Sequence, residues 1–370
     1  MIMLKKIVKK ILRNPYHAGQ NRLNEILQNN NKEFFEQYKK YQQESMADLL
    51  CQVNEKFRLA DEKIDQVIEP LNAKTDRLNE QLNAKTDRLT EQIKLQQAIV
   101  AVNTAAFEEY KNKHNGQAVV IVGAGPSLNY YKPLDKAIHI GVNRVCKSDS
   151  INLDYYFTQD FRNPNHPFMD DILKIKCKVF LGICAGVPPL SMDASESLSA
   201  HLGATRYYFD KSPSEYICPD IRFYPLMDFY TVVFPAIHFA LYTNPKSLYL
   251  VGCDTSYFGY FSTGRHSETI PEMRYHLFHR MIGYKKLKEF AQHYYPDTEI
   301  FSINPVNLRG LFKDIYTDDY IKTLDTENIR KPLFENQNIT EETIRLFVDE
   351  HVAEVQALRE SSATSVFLSN

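Results

Sequence analysis

Two hydrophobic periodicities succeed each other along the chain, and the change between them marks its organisation. From about residue 117 short β-branched and aromatic runs recur: "AVVIVG" (118–123), "AIHIGVN" (137–143), "LDYYFTQ" (153–159), "CKVFLGIC" (177–184), "ATRYYF" (204–209), "SLYLVGCD" (247–254) and "TEIFSIN" (298–304). Between several of them, "TVVFPAIHFALYT" and "HLFHRMIGYKKLKEFAQHYY" carry helical spacing. Apolar strands alternating with helices predict an α/β fold: a Rossmann-like, mainly parallel sheet covered on both faces. In such sheets ligands bind beyond the carboxyl ends of the strands.

The preceding region reads differently. Residues 20–112 are rich in Gln, Asn, Glu and Lys and nearly free of Gly and Pro until Pro70, which is helical composition without a core of its own. "LNAKTDRLNEQ" (71–81) recurs as "LNAKTDRLTEQ" (82–92), with a weaker earlier copy in "ADEKIDQVIEP" (60–70). Leu71, Leu78, Leu82, Leu89 and Ile93 are therefore spaced 7, 4, 7 and 4. That is a period of 11 residues over three turns, about 3.67 per turn, which suits a right-handed or nearly straight bundle. So narrow a stripe is not stable alone in water, and the simplest partner is a second copy of the chain paired through residues 60–100. A helix folded back on the globular part is the other reading.

At the start, "MIMLKKIVKKILRN" sets Met3, Leu4, Ile7, Val8 and Ile11 at helical spacing with lysines and an arginine between them. This basic amphipathic helix fits an anionic membrane surface through residues 1–14, or equally an ordinary packing helix with a solvated charged face. Its lysines argue against a secretory signal. The organisation expected is thus a basic helix (1–19), a helical coiled-coil oligomerisation stalk (20–112), a catalytic α/β domain (113–325) and a polar C-terminal tail (326–370) with one helix.

Composition narrows the classes. With 44 basic and 46 acidic residues the formal charge is -2, which gives no overall basic surface for nucleic acid. The six cysteines form no C-x-x-C pair and sit mostly in apolar runs, as buried thiols do in a reducing compartment. No run reaches the roughly 18 apolar residues of a membrane-spanning helix. A cytoplasmic chain, able to sit peripherally on the inner face of the cytoplasmic membrane, is expected.

Chemistry collects at the strand ends. Gly123 and Gly125 follow the first strand in "VVIVGAGPSLNYY", where missing side chains let backbone N–H groups approach an anion and Ser127 adds a hydroxyl. Leu128 stands where the dinucleotide fingerprint has its third glycine, and no Gly-Lys-Ser/Thr follows, so neither an NAD fold nor a Walker A loop is supported. A phosphate-binding turn and a plain tight turn both fit. Further along, Asn143, Gln159, Asp160, Asp254 and Tyr257 end other strands, Asp254 as either a turn former or a ligand-facing group. "YFGYFSTGRHSETIPEM" is long enough for a lid.

The ordered pieces "VIVGAGPSLN", "GVNRV", "FALYTNPKSLYLVGCD" and "EIFSINPVNLRGLF" resemble the motifs of bacterial sialyltransferases of glycosyltransferase family 42. They are similar also to the related motility associated factor and 6-hydroxymethylpterin pyrophosphokinase-like domains. The resemblance covers roughly residues 117 to 315. It implies a GT-A-like sialyltransferase variant of the fold and an inverting, metal-independent transfer of a sialic-acid-like (nonulosonic) sugar from a CMP-activated donor, with no further cofactor, to a glycan or glycolipid acceptor of a capsule or lipooligosaccharide. It implies a histidine base at His279, with His276 one turn away, and tyrosines that hold the leaving phosphate near Tyr257 and Tyr260. Gly125, Pro126 and Ser127 match the family's nucleotide turn and Asn143 the asparagine ending the second strand, while Gly123, Gln159, Asp160 and Asp254 join the expected nucleotide site by their strand-end positions. The family's basic residue ahead of its Ser/Thr-Gly-Val helix has no counterpart, and Met227 and Asp228 stand in that neighbourhood.

Two other classes use the same scaffold. One is an ATP- and Mg²⁺-dependent pyrophosphokinase-like phosphotransferase, for which "MDD" (169–171) and "TDDY" (317–320) are the nearest acidic groups. The other is a non-catalytic nucleotide-binding coiled-coil scaffold.

Overall fold

The structure, a computed structural model, describes residues 46–159, 169–185, 199–200, 202–211, 216–262, 268–323 and 339–367. The basic helix expected at 1–19 and Asp160 lie outside the described residues. Two compact units are distinguished, one ending at Asp87 and one beginning at Arg88.

Helix α1 (Met46–Phe107) supplies residues to both. Its sequence holds no glycine, and Pro70 is its single proline, in a position that ordinarily costs about 3 kcal/mol. In the first unit each copy of the repeat makes the same local bond. Thr75 Oγ1 donates to the Leu71 carbonyl at 2.9 Å and Thr86 Oγ1 to the Leu82 carbonyl at 2.8 Å. Leu71, Leu78 and Leu82 are all more than half exposed.

The second unit is built on a sheet that has nine strands among the described residues, all parallel. They are β1 (Ala118–Val122), β2 (Ile138–Val142), β3 (Tyr155–Thr158), β4 (Lys178–Cys184), β5 (Thr205–Asp210), β6 (Leu226–Met227), β7 (Ser247–Val251), β8 (Glu299–Ile303) and β9 (Lys313–Ile315). All seven expected strands are present, and the two short outer strands β6 and β9 are additional. The order is β6-β5-β4-β3-β2-β1-β7-β8-β9, so the direction of winding reverses between β1 and β7. That switch point is where an open parallel sheet leaves a crevice.

Helix α2 (Val233–Tyr242) is apolar on every side and all ten of its residues are buried, as befits a helix inside a core rather than on a surface. Phe107, Phe157, Phe180 and Phe239 pack together with ring centroids 4.6 to 5.8 Å apart. Helix α3 (Ile270–Tyr294) starts with a capping box, Thr269 with Glu272, a device worth about 1 kcal/mol. Helix α4 (Glu341–Phe367) buries Ile344, Val348, Val352 and Val355 in the main core and packs on α3.

The observed division differs from the expected boundary at 112/113, because the last turns of α1 are core. Ile99, Ala106 and Phe107 are buried, and the Asn103 side chain bonds the backbone of Tyr208, Ile221 and Tyr224. The 326–370 tail likewise differs from a mere polar appendage, since α4 closes one side of the core. Among the described residues no helix is long and apolar enough to cross a membrane, and five cysteines make no disulfide.

Candidate functional site

The carboxyl ends of β1 and β7 meet at two glycines. A Cβ on Gly123 would lie 2.4 Å from the Gly252 carbonyl oxygen, and one on Gly252 would lie 2.3 Å from that of Gly123. Gly252 also has φ +62°, a left-handed value that glycine adopts freely. Only glycine lets the two turns touch in this way.

The contact uses up the groups expected to take a phosphate. Gly123 N–H donates to the Val251 carbonyl (2.7 Å) and Gly125 N–H to the Gly252 carbonyl (2.8 Å). Ser127 N–H donates to Asp254 Oδ2 at 2.9 Å, and the Ser127 hydroxyl donates to Oδ1. The phosphate-cradle expectation is revised accordingly: the Asp254 carboxylate occupies the anion position of the turn. Burial is the main cause that lifts the Asp254 pKa to about 6, against the lowering by the two Ser127 bonds. Of the turn, Gly125 lines the adjoining cleft, whereas Gly123, Pro126 and Ser127 are not among its lining residues.

That cleft has a volume of about 540 Å³ and runs along the carboxyl edge of the sheet. Asn143, Gln159, Asp254, Tyr260 and His276 all line it. Asn143 has φ +44°, and its side-chain oxygen accepts from Thr158 Oγ1 at 3.1 Å. Tyr257 lies behind the wall, buried and pushed up to about 12 mainly by that burial, with the Arg280 guanidinium 5.4 Å from its ring centre. Its N–H donates to Nε2 of the buried His351 on α4, at 3.2 Å. The tail, in which no chemistry was expected, thus holds this loop in place.

The two histidines separate. His276 lines the cleft, stacks on Tyr230 (5.1 Å between ring centroids) and directs Nδ1 toward Glu268 Oε1 at 3.6 Å. Its pKa is lowered, by burial first and by the Arg280 charge second. His279 packs against Tyr275 (4.3 Å) and Tyr230 (5.4 Å) and is not among the lining residues. Its pKa is lowered too, again chiefly by burial.

Sequence reasoning passed over the cations. Arg144, Lys211 and Arg280 all line the cleft, from the ends of β2 and β5 and from α3. Arg144 lies over the Tyr260 ring at 4.1 Å, and Arg280 donates to the Tyr230 carbonyl at 3.3 and 3.4 Å. Arg144 sits inside the quoted "GVNRV" and was readable there. Lys211 and Arg280 belong to no motif. Among the described residues no group of three or more His, Cys, Asp or Glu side chains is arranged to hold a metal ion.

Backbone strain gathers at the same edge. Asn143, Phe229, Tyr230, Thr255 and Asn304 are non-glycine residues with φ between +43° and +63°, and each follows a strand end. Such conformations cost on the order of 1 kcal/mol or more apiece and cluster at functional sites. Comparison with protein-family models, with curated proteins and with solved structures finds no match for this chain.

Proposed function

We propose that the protein is a glycosyltransferase that moves a sialic-acid-like sugar from a CMP-activated donor to a glycan hydroxyl, on a GT-A-like variant of the fold. The observation that carries the reading is the convergence of Arg144, Lys211 and Arg280 with the imidazole of His276 in one switch-point cleft. The motif resemblance supplies the donor class.

Each group has a task in that reaction. The acceptor oxygen attacks the anomeric carbon, the carbon–oxygen bond to the phosphate breaks, and CMP departs with the electron pair. The cations stabilise the phosphate charge as it develops, an effect largest where water is excluded. His276 takes the acceptor proton. A lowered pKa keeps its imidazole neutral near pH 7, and Glu268 beside Nδ1 stabilises the imidazolium that forms. With Nδ1 turned to Glu268, Nε2 is the nitrogen that accepts the proton. The base is thus assigned to His276 rather than His279, since only His276 lines the cleft.

On this reading the acceptor belongs to a surface polysaccharide or lipooligosaccharide. Residues 1–14 hold the chain at an anionic membrane surface, and residues 60–100 pair it with a second copy. The test is transfer from CMP-sialic acid to an acceptor lysate by His276→Ala and His279→Ala. His276→Ala loses about 10²-fold or more in turnover with CMP affinity kept, and His279→Ala stays near wild type. The reverse pattern returns the role to His279, and turnover unaffected by either sinks the mechanism.

A further inference from the structure

Past β6, at the end of the cleft away from the glycine turn, stands a carboxylate without a partner. Asp228 is 1% exposed and lines the cleft, and among the described residues neither of its oxygens has a hydrogen-bond partner. The Gln159 amide and the Thr231 N–H lie near it, close enough to lower its pKa yet outside hydrogen-bonding geometry to its oxygens; the Thr231 N–H donates to the Asp228 main-chain carbonyl at 3.0 Å, and the Nε2 of the amide is itself buried and unpartnered. The buried hydroxyl of Tyr207 is the third such group. Gln159 and Tyr207 meet over Gly182, where a Cβ would lie 2.7 Å from the Tyr207 hydroxyl and 2.8 Å from Gln159 Cγ.

Buried polar groups are nearly always hydrogen-bonded, because each one left unpaired costs about 1–3 kcal/mol. Asp228 and Gln159 on the cleft wall, with the fully buried Tyr207 beside Gln159, call for a ligand that supplies the missing bonds. The fold also holds Asp228 firmly. His238 of α2 accepts the Met227 N–H at Nδ1 (3.4 Å) and bonds the Cys218 carbonyl through Nε2 (2.8 Å). Phe229, at φ +43°, is wedged on Phe234 at 5.1 Å against Gly283, where any Cβ would strike its ring. The strained turn fixes the carboxylate at the cleft wall.

We propose that Asp228 and Gln159, backed by the buried Tyr207, form a sugar subsite that reads hydroxyl and amide N–H donors of the transferred residue. This rests on the glycosyltransferase reading and adds what the donor sugar presents there. An aspartate can accept two such donors, whereas it repels a carboxylate, so the donor's own acid group lies away from Asp228. Burial holds the Asp228 pKa up at about 7, with Lys211 and Arg280 lowering it only in part, so the group is not a settled ion-pair partner.

The experiment compares wild type with Asp228→Asn by thermal melting, and by calorimetric titration with CMP and with CMP-sialic acid. Asp228→Asn keeps shape and removes an unsolvated charge. The unliganded variant melts at a higher temperature, CMP affinity stays within about twofold, and CMP-sialic acid binds about tenfold or more weakly, as for the loss of one hydrogen bond to a charged group. A lower melting temperature for Asp228→Asn overturns the subsite by showing Asp228 to be structural, and undiminished CMP-sialic acid affinity overturns it as well. Failure of wild type to bind either CMP compound overturns the glycosyltransferase reading instead, and the direction of the melting shift still decides whether Asp228 is held for a ligand.

Discussion

Asp254, just past β7, and Asp228, just past β6, are both buried carboxylates, 4% and 1% exposed, with pKa values raised to about 6 and about 7. Their surroundings differ. Asp254 accepts the N–H and hydroxyl of Ser127, and so completes a turn. The carboxylate of Asp228 has no hydrogen-bond partner among the described residues. The contrast teaches that residue type and burial do not separate a structural carboxylate from a ligand-facing one, whereas the census of hydrogen bonds does.

The sharpest way to break the comparison is the same substitution at both positions. Asp254→Ala strands two buried donors on Ser127 and is expected to lose about 3 kcal/mol, read as a lower urea midpoint at unchanged slope. Asp228→Ala strands none and is expected to lose nothing or to gain. Equal losses would erase the distinction.

Next in size, Arg280→Ala removes a cleft cation and weakens CMP binding by about tenfold or more, as the loss of a charge-assisted bond does. Calorimetry measures it. Unchanged affinity would place the phosphate away from α3.

A smaller effect is the slope of stability against pH. Both carboxyls have folded pKa values above the ordinary 3.8, so the folded state holds more protons between that value and about 7. Their stabilising effect is complete below about pH 4 and is lost as pH rises through the folded values. Asp228→Ala is expected to flatten the decline between about pH 4 and 7, by at most about 1.4 kcal/mol per pH unit. Denaturant titrations of both proteins across that range would show it, and parallel curves would contradict the burial argument.

The smallest effect on the α/β unit is expected from the exposed stripe of the first unit. Leu78→Lys with Leu82→Lys lowers the sedimentation mass if the stripe pairs two chains, while melting of the α/β unit is unchanged. Retained mass would refute the pairing.

Much of the fold was legible. Seven strands followed from apolar runs, and the parallel order followed from their alternation with helices. The strands β6 and β9 were not, because two and three residues are too few to show a period. The core role of α4 was hidden because Ile344, Val348, Val352 and Val355 form a narrow apolar face in an otherwise polar helix, and such a face reads as a solvated tail. At the site, the strand-end residues Asn143, Gln159 and Asp254 were readable from position alone. What the glycine turn does was not, since the partner of Ser127 lies 127 residues away. Nor was the choice between His276 and His279, which depends on how α3 is rotated against the sheet.

The central claim is that this cation-lined cleft receives a CMP-activated sugar, and calorimetric titration of the wild-type chain with CMP and with ATP, each with and without Mg²⁺, tests it most directly. Saturable binding of CMP at equal strength with and without Mg²⁺, and weaker binding of ATP, is the predicted result. A Mg²⁺-dependent preference for ATP would contradict it and make the cleft that of a phosphotransferase.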